Sequence, residues 1–207
     1  MVDLTGIDAI LFDLGGVILN IDPQRTINAL QKYSKAEQRE RYDHHEQFAF
    51  LSLYEEGKMK CDEFRSAIRE ELKVFASDEE IDIAWCKLLL DIPKKRVELL
   101  YSLKNRFKIY LYSNTCEIHK NFFDQQMIQI HGVELDTLFH TAYYSHLLGV
   151  RKPKEEGFLK IIKEQNLNPR RTLFVDDKLD NIETAKRLGF KVFQADPNIC
   201  ITTVFKF

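Results

Sequence analysis

Long apolar runs are missing from this 207-residue chain, and none approaches the ~18 residues that a membrane span requires. Charge of one sign is missing too. Thirty Lys and Arg stand against 32 Asp and Glu, a formal net charge of -2, so nothing draws the chain to nucleic acid or an acidic membrane in general. Cysteine is sparse: Cys61, Cys86, Cys116 and Cys200 are scattered, without a Cys-x-x-Cys pair for zinc or redox work. The six histidines lack metalloprotease-like spacing, and the adjacent His44 and His45 would point about 100° apart on a helix. Internal repeats and low-complexity segments are absent. The opening Met1-Val2-Asp3-Leu4-Thr5-Gly6 has neither the basic nor the apolar block of a secretory signal. Reduced thiols in a cytoplasmic protein are therefore expected.

What is present is ordinary globular material, 44% apolar and 30% charged, enough for one generous domain or a domain with an insertion. Ala9 to Phe12 reads as a strand buried on both faces; it stops at Asp13, and Gly15 and Gly16 follow. Asp22-Pro23 starts a helix with Ile27, Leu30 and Tyr33 on one side. From there to about residue 90 the pattern is helical throughout. Residues 35–54 end at Glu55-Glu56-Gly57. Asp62 caps a helix carrying Phe64, Ile68, Leu72 and Phe75, and Ser77 to Glu80 has the spacing of a capping box ahead of Ile81, Trp85, Leu88 and Leu89.

After Pro93, strands and helices alternate. Val97, Leu100 and Tyr101 line the inner side of one helix, 108–112 is a strand, and Ser113-Asn114-Thr115 suits the cap of the next helix. Strands are also expected at 141–144, 172–175 and 191–193, with helices bearing Phe158, Ile161 and Ile162, and over 180–188. Such alternation predicts an α/β, Rossmann-like, doubly wound parallel sheet. The expected division is a core of residues 1–19 and 91–207 with an inserted helical bundle, a cap, over 20–90. Trp85 and Cys116 are expected to be core packing.

Three strands end in chemically useful groups: Asp13, Ser113-Asn114, and Asp176-Asp177. In a parallel sheet these tips share one edge and converge on one crevice. Clustered carboxylates repel unless a cation joins them, and oxygen ligands with open positions suit Mg²⁺. Ser113 and the N–H groups after it can hold phosphate oxygens, and Lys152, in the loop Gly149-Val150-Arg151-Lys152-Pro153, can add a point charge. The sum is a phosphoryl-transfer site with a carboxylate nucleophile.

This set of residues resembles the haloacid dehalogenase superfamily across nearly the whole chain. Its four motifs match Asp13, Ser113, Lys152, and the run Phe174-Val175-Asp176-Asp177 with Asn181 after it. The long gap after Asp13 matches a helical cap, and the nearest branch holds sugar-1-phosphate phosphatases and the phosphatase domain of soluble epoxide hydrolases. The resemblance implies that Asp13 attacks phosphorus and forms an aspartyl phosphate. It implies that Asp13, the Gly15 carbonyl and Asp177 bind Mg²⁺, with Asp176 at the same centre through a metal-bound water. Ser113, Asn114 and Lys152 would grip the substrate, a small phosphorylated metabolite such as a sugar phosphate.

One departure stands out. Most phosphatases of the superfamily carry a second Asp two residues after the nucleophile as general acid and base, and here that residue is Gly15. Its loss puts about 10²–10⁴-fold in rate in question. Slow turnover, a substrate with an acidic leaving group, or a proton carrier from Asp22, His44, His45 or Glu46 are the expected answers. The alternatives are a metal-independent 2-haloacid dehalogenase, or a catalytically weak protein that binds a phosphorylated ligand.

Overall fold

Four apolar residues in succession make β1 (Ala9–Phe12), and all four are buried. In the computed structural model, which describes residues 2–34, 49–196 and 198–205, β1 lies at the centre of a sheet. Its companions are β2 (Lys108–Ser113), β3 (Thr141–Tyr144), β4 (Thr172–Asp176) and β5 (Lys191–Gln194). The order is β3-β2-β1-β4-β5, and every pairing is parallel. Alternation along β1 divides the core. Ile10 and Phe12 join a cluster with Val97 and Leu100, whereas Leu11 joins Tyr112, Phe158, Phe174 and Ile182 on the other face. Both faces are covered, as a doubly wound sheet requires. The chain leaves β1 toward β2 on one side and returns to β4 on the other, so the crevice opens at the tips of these central strands.

Helices fill the connections. The insertion after β1 holds α1 (Pro23–Gln31), α2 (Ala49–Glu55), α3 (Cys61–Leu72), α4 (Asp78–Trp85) and a 3₁₀ turn, Cys86–Leu88. Then follow α5 (Lys94–Lys104), α6 (Glu117–His131), α7 (Ser145–Leu148), α8 (Glu155–Gln165) and α9 (Leu179–Arg187). Where the insertion begins and ends, the two chain segments bond to each other. Asn20 N–H donates to the Asp91 carbonyl at 2.9 Å, Leu90 N–H to that of Asn20 at 2.9 Å, and Asp22 N–H to that of Leu88 at 2.8 Å. One apolar cluster nevertheless runs from Ile10 in the sheet to Phe64 and Ile68 in α3.

The local signals mostly hold. Asp22 caps α1 by accepting from Gln24 N–H at 3.1 Å. Ser77 and Glu80 form the reciprocal box at 3.2 and 2.7 Å. The helix expected over 35–54 falls mostly outside the described residues. Several expectations are corrected. Asp62 lies inside the first turn of α3, whose start is held instead by Glu63 accepting Lys60 N–H at 2.8 Å. Phe75 is exposed, because α3 ends at Leu72 and Lys73 turns left-handed, which takes Phe75 off the helical stripe. Tyr101 is also exposed, and Leu99 and Leu103 take the inner side of α5 with Val97 and Leu100. Ser113-Asn114-Thr115 does not cap α6, which begins two residues later with Cys116 at its cap position. Those polar groups serve the site instead. Among the last described residues, Ile201–Thr203 form a 3₁₀ turn.

Candidate active site

The apolar run of β1 leaves Asp13 at its tip, where Asp13 N–H donates to the Val175 carbonyl at 2.8 Å and extends the pairing by one residue. The neighbouring strand β4 ends in Asp176, so the sheet register alone brings two carboxylates together. Lys152 stands between them, its Nζ 2.7 Å from Asp13 Oδ1 and 2.7 Å from Asp176 Oδ2. All three side chains are buried. Burial alone would discharge Lys152, but Asp13 and Asp176 hold its ammonium above the ordinary lysine range. Its backbone is fixed by Asn114, whose Oδ1 accepts Lys152 N–H at 2.8 Å and whose Nδ2 donates to the Lys152 carbonyl at 2.9 Å. Beside it, Thr115 exchanges hydrogen bonds with Ser145 Oγ at 2.9 and 3.0 Å.

Asp177 completes an acidic group: one oxygen each from Asp13, Asp176 and Asp177 lie within 4.8 Å of one another. The three are not equivalent. Asp176 is filled with donors, from Lys152, from Lys178 N–H at 2.8 Å and from Asn181 Nδ2 at 3.0 Å to both oxygens. Asp177 has Lys178 Nζ at 3.4 Å. Burial, opposed by Lys152 and reinforced by Asp176 and Asp177, pushes the Asp13 carboxyl up to about 7, and burial also raises Asp177. Gly16 has a φ of +76°, and a Cβ there would lie 2.9 Å from Asp177 Oδ2. A glycine is what lets this turn lie against the carboxylate.

These groups form the floor of a cavity of about 450 Å³. Ser113 also lines it, and among the described residues nothing bonds to its hydroxyl. The roof comes from the insertion and α6: Ile21, Trp85, Leu88, Leu89, His119 and Phe123. Glu55 and Arg151 stand at its side. Trp85 therefore does more than pack. Its ring meets Phe64 at 5.0 Å, stacks on His119 at 5.1 Å and 9°, and reaches the cavity. Burial pushes the His119 imidazole down to about 4, and its Nε2 lies 3.1 Å from the Trp85 carbonyl. The ring is neutral with its proton on Nε2, since a carbonyl can only accept. Cys116 is buried and accepts from Trp85 Nε1 at 3.5 Å; all four cysteines are free thiols.

At Gly15 the nearest neighbour of a Cβ would be Ile21, at 3.4 Å. The direction in which an acid/base side chain would point is thus faced by a methyl group. Of the expected proton carriers, Asp22 is occupied as the α1 cap and does not line the cavity; His44, His45 and Glu46 lie outside the described residues. Glu55, Arg151 and His119 were not anticipated at the site, since no local pattern marks them. The string around Lys152 contains Arg151 and was the one available signal.

A family model of haloacid dehalogenase-like hydrolases matches residues 7–189. The chain belongs to that family. Among haloacid dehalogenase-like proteins, it is 32% identical over 187 residues to the D-ribitol-5-phosphate phosphatase of Bacteroides thetaiotaomicron, covering 90% of this chain and 91% of that protein. A haloacid dehalogenase-family enzyme of the same organism, crystallised with magnesium and inorganic phosphate, matches at a TM-score of 0.85. That match has 30% identity and covers 97% of this chain and 100% of the other. The L-2-haloacid dehalogenase of Xanthobacter autotrophicus shares the fold at a TM-score of 0.61 and 19% identity. No helix among the described residues is long and apolar enough to cross a membrane.

Proposed function

We propose that this haloacid dehalogenase-like hydrolase is a Mg²⁺-dependent phosphatase of a small phosphorylated metabolite, a sugar or sugar-alcohol phosphate. The observation that carries the reading is Lys152 bridging Asp13 and Asp176, with Asp177 in the same acidic group, beneath a cavity of metabolite size. The similarity to a ribitol-5-phosphate phosphatase supports the substrate class. Free thiols fit the cytoplasm as its compartment.

The donor set fits a hard cation: three carboxylates within 4.8 Å, two of them with raised proton affinity that a cation would replace. Asp13, Asp177 and the Gly15 carbonyl would hold Mg²⁺, and Asp176, saturated by Lys152, Lys178 and Asn181, would bear on it only through water. When bound, the ion offsets the negative charge of the carboxylates and of the phosphoryl group. Asp13 attacks phosphorus as a carboxylate. A new O–P bond forms, the ester P–O bond breaks, and the electron pair leaves with the alcohol oxygen. Lys152 favours the ionised form of Asp13, against the burial that raises its carboxyl, and neutralises charge as the phosphoryl group arrives, while Ser113 Oγ and Asn114 N–H bind its oxygens. Water then cleaves the aspartyl phosphate and restores Asp13. Residues 20–90 serve as the cap, and the apolar roof they share with α6 keeps bulk water from the phosphoryl group.

Phosphate release should be measured across a panel of sugar and alditol phosphates, with Mg²⁺ and with chelator. Release on at least one ester, lost with chelator and lost in Asp13→Asn, is the expected outcome. No release on any ester, or an Asp13→Asn variant equal to wild type, would overturn the reading. Halide release from 2-haloacids that ignores chelator would replace it with the dehalogenase reading, which the acidic group does not favour.

A further inference from the structure

The residues on either side of Lys152 are held by one short helix of the insertion. Arg151 Nη1 donates to Ser52 Oγ at 3.0 Å, and Arg151 Nε lies 2.8 Å from Glu55 Oε2. Lys154 Nζ pairs with Glu56, which also takes Lys58 Nζ at 2.6 Å. Gly57, with a φ of +67°, then lies so close to α7 that a Cβ would fall 2.1 Å from the His146 carbonyl oxygen. These contacts join α2 and the turn that closes it to residues 146–154, the loop of Lys152. The Glu56 side chain is only 3% exposed, and a carboxylate that deep is tolerated because it is paired. Burial works against its charge, but Lys154 and Lys58 bring its carboxyl below the usual range.

The backbone of Lys152 is held from the opposite side by Asn114 at the tip of β2. The loop is therefore gripped twice, once by the sheet and once by the insertion. We infer that Ser52, Glu55 and Glu56 are positioning residues, acting through Arg151 and Lys154, that make the placement of Lys152 over Asp13 depend on where α2 sits. The insertion then does more than roof the cavity: with α2 displaced, the lysine loop loses its grip on that side. Phosphoryl binding and cap placement become one event.

The kinetic part of this inference rests on the phosphatase reading, whereas its binding part does not. The variants are Glu55→Gln, Arg151→Met and their double, with Lys154→Met for the other flank, where Lys58 still pairs with the buried Glu56. Calorimetry with inorganic phosphate and Mg²⁺ gives the binding readout, and kcat and KM on the best ester give the kinetic one. Each single variant should bind phosphate about 10-fold more weakly and lose kcat by about as much, with KM for the ester moving far less. The double should be no worse than the worse single, because both remove one coupling. Phosphate affinity and kcat unchanged in Glu55→Gln and Lys154→Met would overturn the inference, as would losses that simply multiply in the double. Wild type that binds phosphate but hydrolyses no ester would instead defeat the phosphatase reading, and the binding comparison would still decide this one.

Discussion

At the floor of the cavity, buried charges are locked together. Lys152 holds Asp13 and Asp176, and Asn181 and the Lys178 N–H hold Asp176 again. At the roof the same crevice is closed by Ile21, Leu88, Leu89 and the Trp85–His119 stack, with the imidazole kept neutral. The floor is assembled from strand tips whose positions the sheet register dictates. The roof is assembled from an insertion and α6, which meet through packing and a few hydrogen bonds such as that from His119 Nε2 to the Trp85 carbonyl. A floor of fixed dipoles and charges is what stabilises a developing phosphoryl charge without reorganisation. An apolar roof contributes exclusion of water and shape, which select substrates without naming one reaction.

The sharpest way to break this comparison is to make one conservative substitution on each side. Lys152→Met keeps the stem and removes the ammonium, leaving Asp13 and Asp176 facing each other. Activity should fall about 10²–10³-fold, and stripping one partner from a buried ion pair should destabilise the fold by about 3–5 kcal/mol in the absence of metal. At the roof, Trp85→Phe should change kcat/KM by less than about 10-fold, through KM, because a smaller ring still excludes water. Steady-state kinetics and urea melts of both variants check this. Comparable losses in kcat from the two would end the division of labour.

Gly15 sits where floor and roof meet, and it tests the comparison from the other direction. Among the described residues a Cβ there meets only Ile21, at 3.4 and 3.6 Å, which admits a side chain. Gly15→Asp should raise kcat about 10- to 100-fold on alkyl phosphates, part of what a general acid is typically worth. It should leave p-nitrophenyl phosphate nearly unchanged, since that leaving group departs without a proton. Equal effects on both esters would mean that proton transfer does not limit the wild-type enzyme.

The contrast also explains what could be read from the chain. Asp13 and the pair Asp176-Asp177 were legible because each comes abruptly after a short apolar run, and a buried strand that ends in a carboxylate has few structural uses. The parallel sheet followed from the alternation, and β3 matched the expected residues. The side and roof of the cavity were not legible. Glu55, Trp85, His119 and Arg151 come from four separate segments, and no local period relates them. Ser113-Asn114-Thr115 suits a helix cap and, through Ser113 and Asn114, a phosphate grip; that the Asn114 side chain clamps Lys152 and that Thr115 bonds Ser145 shows only in space, because all these tasks use the same polar groups. Phe75 and Tyr101 kept helical spacing yet reached solvent, because a period does not reveal where a helix ends or how wide its buried face is.

The smallest predicted effect separates floor from roof by the sign of their response to pH. Asp13 titrates near 7 in the folded protein against 3.8 ordinarily. Between those values the folded chain keeps a proton that the unfolded chain has lost, so this contribution to stability falls as pH rises and is gone above about 7. His119 titrates near 4 folded against 6.5 ordinarily. Below 6.5 the unfolded chain takes up a proton that the folded chain refuses, so this contribution is lost as pH falls toward 4. The two oppose each other through the mildly acidic range. Mg²⁺ competes with the proton on Asp13 and Asp177 but not with that of His119. Added Mg²⁺ should therefore raise Tm by several degrees at about pH 8, and by much less at about pH 5, given ~2–4 °C per kcal/mol for a chain of this size. In His119→Gln the acid-side loss should shrink while the Mg²⁺ effect stays. Melting curves across pH, with millimolar Mg²⁺ and with chelator, check both halves. A Mg²⁺ shift that is the same at both ends would mean that the ion does not displace the floor's protons, and the carboxylate group would lose its assignment as the metal site.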